Sequence, residues 1–337
     1  MFVNASFFTN QCKSKIHFDK NLVIGEDQKV VLTILKDNMK YGVVTGCKYM
    51  YRRRSVGESG LISSSKKKYG WYFDYFTYLI DWGIKEYKEK YGYLPAFIQY
   101  QFLCDLQWRV KENYDPLKVL SVEESNLYLC RLWEIFRKFD DKYILEQEMI
   151  QTEYKNFILY KKYYNNIQLK KVDNDVLVQY GQTVVGELSK TQTVIEFINI
   201  NNDTMSIAGL YKIYGVSLEE KINIFINLNG ELIKTKIDNS VDFNETRFGE
   251  LLLRVVPFKA NITLPKCRKN IIELVVKIRD YTITLRKIRF GKYFPLVNNL
   301  KKSYVNLGDY YISYKDYKLL LYRKSFLIKI KNELMLF

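Results

Sequence analysis

Hydrophobic and polar positions follow two rhythms along the chain. Up to about residue 150 apolar residues recur three and four apart, the spacing of amphipathic helices. One such run predicts a helix over Glu26–Asn38 with Val30, Ile34 and Leu35 on one face. TGCKYMYRRR (Thr45–Arg54) then reads as a strand. Three helical segments follow. The first, near Tyr69–Tyr91, presents Phe73, Phe76, Leu79, Ile80 and Tyr87. The second opens at Pro95, a good first-turn residue, and presents Phe97, Leu103, Leu106 and Val110. The third opens with Ser121 and Glu124 in capping-box spacing and turns Leu129, Trp133 and Phe136 inward. KFDDKYILEQEMI completes the helical part.

From about Asn156 the period drops to two. IQLKKV, DVLVQY, TVIEFINI, KINIFINL, ELIKTKI, ELLLRVV, IIELVVKI and YTITLRKI alternate, are rich in Val, Ile, Tyr and Thr, and are separated by Asp, Asn and Gly. Asn229-Gly230 between two such runs predicts a hairpin. Short strands at this spacing predict an antiparallel β-sandwich-like domain. The fold class is α+β. Three stretches divide the chain: an α/β segment over 1–65, helices over 66–155, and a β-rich domain with a basic tail over 156–337.

Composition narrows the chemistry. The 337 residues are 47% hydrophobic, enough for more than one core. No apolar run approaches the roughly 20 residues that cross a bilayer. The N-terminus lacks the features of a secretory signal. Five scattered cysteines without a C-x-x-C suit reduced thiols, hence a cytoplasmic location. A single histidine, His17, argues against a zinc site or a Ser–His triad, and no metal ligands are assigned. The net charge of +16 is uneven. Residues 251–337 hold 19 Lys+Arg against 5 Asp+Glu, a surplus of 14. That surplus implies an anionic partner, such as a phosphate polymer or the inner face of the cell membrane, unless it is simply a solvated face. No nucleic-acid-reading motif accompanies it, so nucleic acid ranks low.

Four stretches carry candidate chemistry. Glu26 and Asp27 follow Gly25 at the start of the first helix. There a carboxylate is either the ordinary partner of the helix dipole or a base on a Gly-permitted turn. YRRRSVGESGLISSS (Tyr51–Ser65) sets Arg52 and Arg54 on one side of a strand end, ahead of a loop containing Ser59. Guanidinium forks and small loop residues suit a diphosphate; the alternative is an exposed basic strand end. Asp173-Asn174-Asp175 reads as a hairpin turn, although two carboxylates so spaced can also hold a divalent metal. The tail interleaves aromatic and basic residues, as strands followed by an amphipathic helix over Ser325–Phe337. Such a helix either packs on the core or lies on an anionic membrane.

Taken together, KIHFDKNLVIGEDQKVVLTILKDNMKYGVVTGCKYMYRRRSVGESGLISSS resembles the second half of the catalytic domain of family 2 glycosyltransferases, inverting enzymes of GT-A fold. The shared order is Phe-Asp, a short gap, Gly-Glu-Asp, a helix, then Tyr-x-Tyr-Arg-x-Arg and Ser. The helices to about residue 150, including DLQWR (Asp105–Arg109), look like the extension of that group. The β-rich remainder is similar to the accessory module of Gram-positive teichoic acid and capsule polymer transferases. The resemblance implies that Asp27, in its Glu26-Asp27 motif, is the acceptor-activating base. It implies that Arg52, Arg54 and Ser59 border the donor diphosphate. It also implies a nucleotide-sugar donor, an anionic polymer or lipid-linked acceptor, and a Mg²⁺ or Mn²⁺ ion whose ligands are not in this chain.

In that family a nucleotide-binding half precedes the matched segment, and only 26 residues precede Asp27 here. The expectation is therefore a truncated GT-A segment, inactive in sugar transfer alone and completed by a complementary chain or by self-association. An open sheet edge near residues 1–50 is expected to be poorly ordered, paired with another chain or covered by the helices. The alternative is a non-catalytic module that binds an anionic polymer or a membrane surface.

Overall fold

The computed structural model describes residues 10–42, 46, 65–111, 115–238, 240–291 and 305–324. Apart from Gly46, the strand expected at Thr45–Arg54, with Arg52 and Arg54, lies outside those residues, as do Ser59 and the helix expected over Ser325–Phe337. The chain is mixed α+β and divides into two compact units, Met1–Ile158 and Leu159–Phe337.

In the first unit α1 spans Glu26–Asn38. Tyr69–Tyr72 (α2) leads into a π-helical turn at Phe76–Asp81 and directly on into Trp82–Tyr91 (α3). Ala96–Lys111 (α4), Val122–Arg137 (α5) and Asp141–Glu146 (α6) follow, and Thr152–Lys162 (α7) begins in the first unit and ends in the second. The Ser121 capping box forms at α5: the hydroxyl accepts from Glu124 N at 3.2 Å and Ser121 N donates to Glu124 Oε2 at 2.8 Å. Two orphan helix donors are thereby satisfied.

Three faces differ from the spacing prediction. α1 buries Val30, Val31, Leu32 and Leu35 while Ile34 stays half-buried, because α1 is enclosed on more than one side. Tyr87 of α3 donates to Leu32 O at 2.7 Å, and Lys36 pairs with Glu86 at 2.6 Å. The π turn inserts an extra residue, so Phe73 falls off the buried stripe that Phe76, Leu79 and Ile80 occupy. On α5 the stripe is Tyr128, Leu132, Trp133 and Phe136, with Leu129 half-buried. Residues 10–42 contain no strand among the described residues, and helices cover α1.

The second unit holds β1 (Ile167–Val172), β2 (Asp175–Tyr180), β3 (Thr183–Glu187), β4 (Thr193–Asn201), β5 (Thr204–Ile213), β6 (Ile222–Leu228), β7 (Glu231–Lys234), β8 (Lys236–Ile237), β9 (Glu245–Arg247), β10 (Glu250–Thr263), β11 (Lys269–Ile278), β12 (Tyr281–Thr284), β13 (Ile288–Phe290), β14 (Val305–Leu307), β15 (Tyr310–Lys315) and β16 (Lys318–Arg323). Among the described residues they form three sheets. β1-β2-β3 is a small one. β13-β4-β5-β10-β8 and β14-β15-β16-β11-β6-β7 are the larger two, with β9 on β10 and β12 on β11. Pairing is antiparallel except β13 with β4. Ile207, Phe258 and Ile198 of one large sheet share a core with Ile224, Leu274 and Leu321 of the other, the packing of a sandwich. Asn229 and Gly230 turn β6 into β7 with positive φ at both (53° and 101°), as a type I′ hairpin requires.

Pro257 sits inside β10, where a strand normally needs its N–H. Its carbonyl accepts from Asp238 N on the β8 side, so its missing donor faces the same side, where the short β8 has just ended.

Candidate functional site

Gly25 holds φ +91° as it delivers the chain into α1. A Cβ there would come within 2.9 Å of Leu79 Cδ2 and 3.1 Å of Tyr75 Cε2. Conformation and space therefore both demand glycine at this turn. Upstream, Asp19 accepts from Asn21 N at 2.9 Å and from Lys29 Nζ at 2.6 Å. The Lys29 bond, then the Asn21 bond, hold the Asp19 carboxyl below its usual range. Lys29 also lies 4.8 Å from the Trp82 ring centre. The Phe-Asp and Gly-Glu-Asp positions are thus tied into one rigid start of α1.

Glu26 and Asp27 occupy the first turn, half-buried, with Asp27 Oδ1 accepting from Gln28 N at 2.8 Å. The helix N-terminus favours a carboxylate there. Arg52, Arg54 and Ser59 fall outside the described residues, so their distance from Asp27 is not defined. Asp173, Asn174 and Asp175 form the β1–β2 turn. Asp175 accepts from Val176 N and the Ser189 hydroxyl and N–H, a structural role. No three described His, Cys, Asp or Glu side chains converge as metal ligands. The divalent ion implied by the resemblance thus has no fitting set among them.

One residue along from Asp27, the side chain of Gln28 enters a buried polar cluster that sequence reasoning left unassigned. Arg109 of α4 is 5% exposed. Its guanidinium lies 3.8 Å from the Trp71 ring centre, 4.3 Å from Tyr75 and 5.3 Å from Phe76. Burial pulls its pKa down, and Tyr128, Tyr75 and Asp105 push it back. Burial pushes the Asp105 carboxyl up against the donors of Gln28, Gln101 and Tyr75 that face it. Burial, then the charge of Arg109, lowers the pKa of Lys66, where the loop read as a diphosphate border re-enters the described chain. Burial raises the Tyr75 pKa well above the usual value and brings that of Tyr128 to about 12. Gln28 and Tyr75 turn their donors to the Asp105 carboxyl, and the Arg109 guanidinium lies against the rings of Trp71 and Tyr75. A buried carboxyl and guanidinium with shifted pKa values, so close to the head of α1, mark a candidate functional position. The signal was present in DLQWR, where Asp105 and Arg109 stand four apart on one helix face.

No family model matches the chain. Minor teichoic acid biosynthesis protein GgaB of Bacillus subtilis (strain 168) is 27% identical over 330 residues, 95% of this chain and 36% of that protein. The chain is similar to a teichoic acid biosynthesis protein along nearly its whole length. GgaA of the same organism, also named a minor teichoic acid biosynthesis protein, is 26% identical over 175 residues, 51% of this chain and 38% of GgaA. The chain matches little more than a third of the length of either relative. Among solved structures, S. aureus TarS aligns at TM-score 0.43 and 13% identity, over 92% of this chain and 56% of that one. Among the described residues no helix is long and apolar enough to cross a membrane.

Proposed function

We propose that the chain forms the acceptor-facing part of a nucleotide-sugar-dependent glycosyltransferase of cell-envelope polymer synthesis. The observation that carries this reading is the similarity to GgaB over 95% of the chain. Gly25-Glu26-Asp27, set rigidly at the head of α1, gives it a chemical centre. Asp27 takes the proton of an acceptor hydroxyl as that oxygen bonds to the anomeric carbon of the donor sugar. The bond from that carbon to the diphosphate breaks, and the nucleoside diphosphate leaves with its electron pair. Arg52 and Arg54 neutralise the departing charge, and the Ser59 hydroxyl donates a hydrogen bond to it. The work is done on the cytoplasmic side, at the inner face of the membrane.

Because the match covers about a third of GgaB, transfer of labelled sugar to a teichoic acid acceptor is assayed with and without the remainder of GgaB. Expected is transfer in the complemented sample and a loss of about 100-fold or more in Asp27→Asn, the scale of a missing general base. Full activity in Asp27→Asn removes Asp27 from the role.

A second reading rests on the charge surplus of 14 in residues 251–337: a non-catalytic module that holds an anionic polymer or lipid surface. Its mark is binding to polyglycerol phosphate or anionic vesicles that weakens steeply with salt, since exposed charges are screened over about 8 Å at physiological ionic strength. Salt-insensitive binding counts against it.

A further inference from the structure

Each large sheet of the sandwich turns one side to the core and the other outward, because side chains alternate along a strand. On β14-β15-β16-β11-β6-β7 the inward side carries Ile224, Leu274 and Leu321. The register then fixes the outward side. Tyr311, Tyr322 and Lys269 lie abreast on β15, β16 and β11. Leu320 and Ile271 lie abreast in the next row. Further along, Val275, Phe225 and Lys234 lie abreast on β11, β6 and β7. The middle of this side is thus aliphatic and aromatic.

Lysines stand around that middle. Lys234, Lys269, Lys277 and Lys315 are all exposed. Lys269 Nζ lies 5.6 Å from the Tyr322 ring centre and Lys324 Nζ lies 5.4 Å from that of Tyr311, so cation and ring stand side by side. Among the described residues of these paired strands, Glu273 alone puts a carboxylate on this side, and Lys318 pairs with it at 3.0 Å. Asp280, Asp309 and Asp316 belong to the turns at the ends of the strands. The outward side of the other large sheet is built differently. Its middle rows are amides and hydroxyls, Asn199–Ser206–Asn261 and Asn201–Thr204–Thr263, and its Lys259 is paired with Asp238 at 2.6 Å.

We infer that the outward side of β15-β16-β11-β6-β7 is a docking face for an anionic lipid surface. The lysine ammonium groups meet headgroup phosphates, and the tyrosines suit the boundary between headgroup and acyl chain, where one end of the ring is wet and the other apolar. A pleated sheet is broad and shallow, which fits a plane of headgroups better than a single polymer strand. The charge surplus of residues 251–337 thereby gains a place, since Lys269, Lys277, Lys315 and Lys318 all belong to it. The inference rests on the second reading above and narrows it: the lipid surface is selected, and the side that meets it is named.

The test is cosedimentation of the full chain with vesicles of phosphatidylglycerol mixed into phosphatidylcholine, and with vesicles of phosphatidylcholine alone. Expected is salt-sensitive binding to the first and none to the second. Lys269→Glu, Lys277→Glu and Lys315→Glu combined should weaken that binding more than about tenfold, because each lysine at an anionic surface contributes separately. Lys212→Glu, Lys236→Glu and Arg289→Glu combined remove the same charge from the other sheet and should bind like wild type, since distant charges are screened. Leu232, 51% exposed on β7, gives a readout independent of charge. Fluorescence of Leu232→Trp should shift to the blue on anionic vesicles and be quenched by brominated lipid, and it carries the decision if the first triple variant melts early. Equal losses in the two triple variants, or an unquenched Leu232→Trp signal on bound vesicles, overturns the docking face. So does wild-type binding in the first triple variant, which would seat the lipid on the tail beyond Lys324. A lipid-free dimer that the first triple variant dissociates, with no vesicle binding, would give the face to a second copy instead. Polyglycerol phosphate bound while vesicles are ignored would sink the face and leave the second reading standing; neither bound would sink both.

Discussion

Gly25 and Asp105 show how single residues set the site. At Gly25 the left-handed conformation and the contact with Tyr75 and Leu79 act together. Gly25→Ala should cost about 1–3 kcal/mol, read as a lowered urea midpoint, and displace the first turn that carries Asp27. A midpoint equal to wild type would show that the turn is not held as described. Asp105 gives a pH signature. Its folded pKa lies above the ordinary 3.8 because burial disfavours the carboxylate. The stability tied to its protonated form is complete below 3.8 and is lost as pH rises through the raised folded value. Asp105→Asn stays neutral throughout. Its urea midpoint relative to wild type should therefore climb between pH 3 and pH 7, and a flat difference would remove burial of this carboxylate as a stability term. The chemistry of Asp105 and Arg109 was not legible in the sequence beyond their four-residue spacing. Neither the aromatic rings that wrap the guanidinium nor the glutamine from α1 can be placed by local pattern.

The π turn at Phe76–Asp81 is the element on which the site depends most. An α-helix turns about 100° per residue, so one extra residue rotates everything upstream by that amount. Tyr72 and Tyr75 face the Arg109 cluster only because of this offset. Deleting Thr77, an exposed residue inside the turn, should restore regular helix and turn those tyrosines away. The expected outcome is retained helical circular dichroism with a lowered melting temperature and altered near-ultraviolet tyrosine signal; an unchanged near-ultraviolet spectrum would sink the argument. The same element marks where periodicity stopped being readable, since a 3.6-residue rule cannot foresee a residue out of phase. Elsewhere the rule served well. α1, the capped α5, the β1–β2 pair and the Asn229-Gly230 hairpin stand where patterning put them, because each rests on local chemistry. β5, TMSIAGLYKI, went unseen because Gly209 interrupts its pattern. That glycine is needed where Val194 O and the Phe258 ring approach, a reason visible only once distant strands are paired.

Across the whole molecule the two units draw on contacts of different reach. Helices of the first are built largely from neighbours in sequence, such as α2 through α3. In the second, β4 waits for β13, joining Thr193 to Ile288, and β5 waits for β10, joining Ile213 to Arg254. Closing such long loops must precede the reward of pairing. Refolding from urea should accordingly be biphasic, with far-ultraviolet helical signal recovering before the β signal; a single shared rate would contradict it. On the ribosome the asymmetry has a direction. The helical unit emerges and can complete itself early, whereas β4 leaves the exit tunnel nearly a hundred residues ahead of β13. Through that interval the β4 edge that β13 will occupy stays unpaired, and translation speed and chaperone supply should govern how much of the chain reaches its native form.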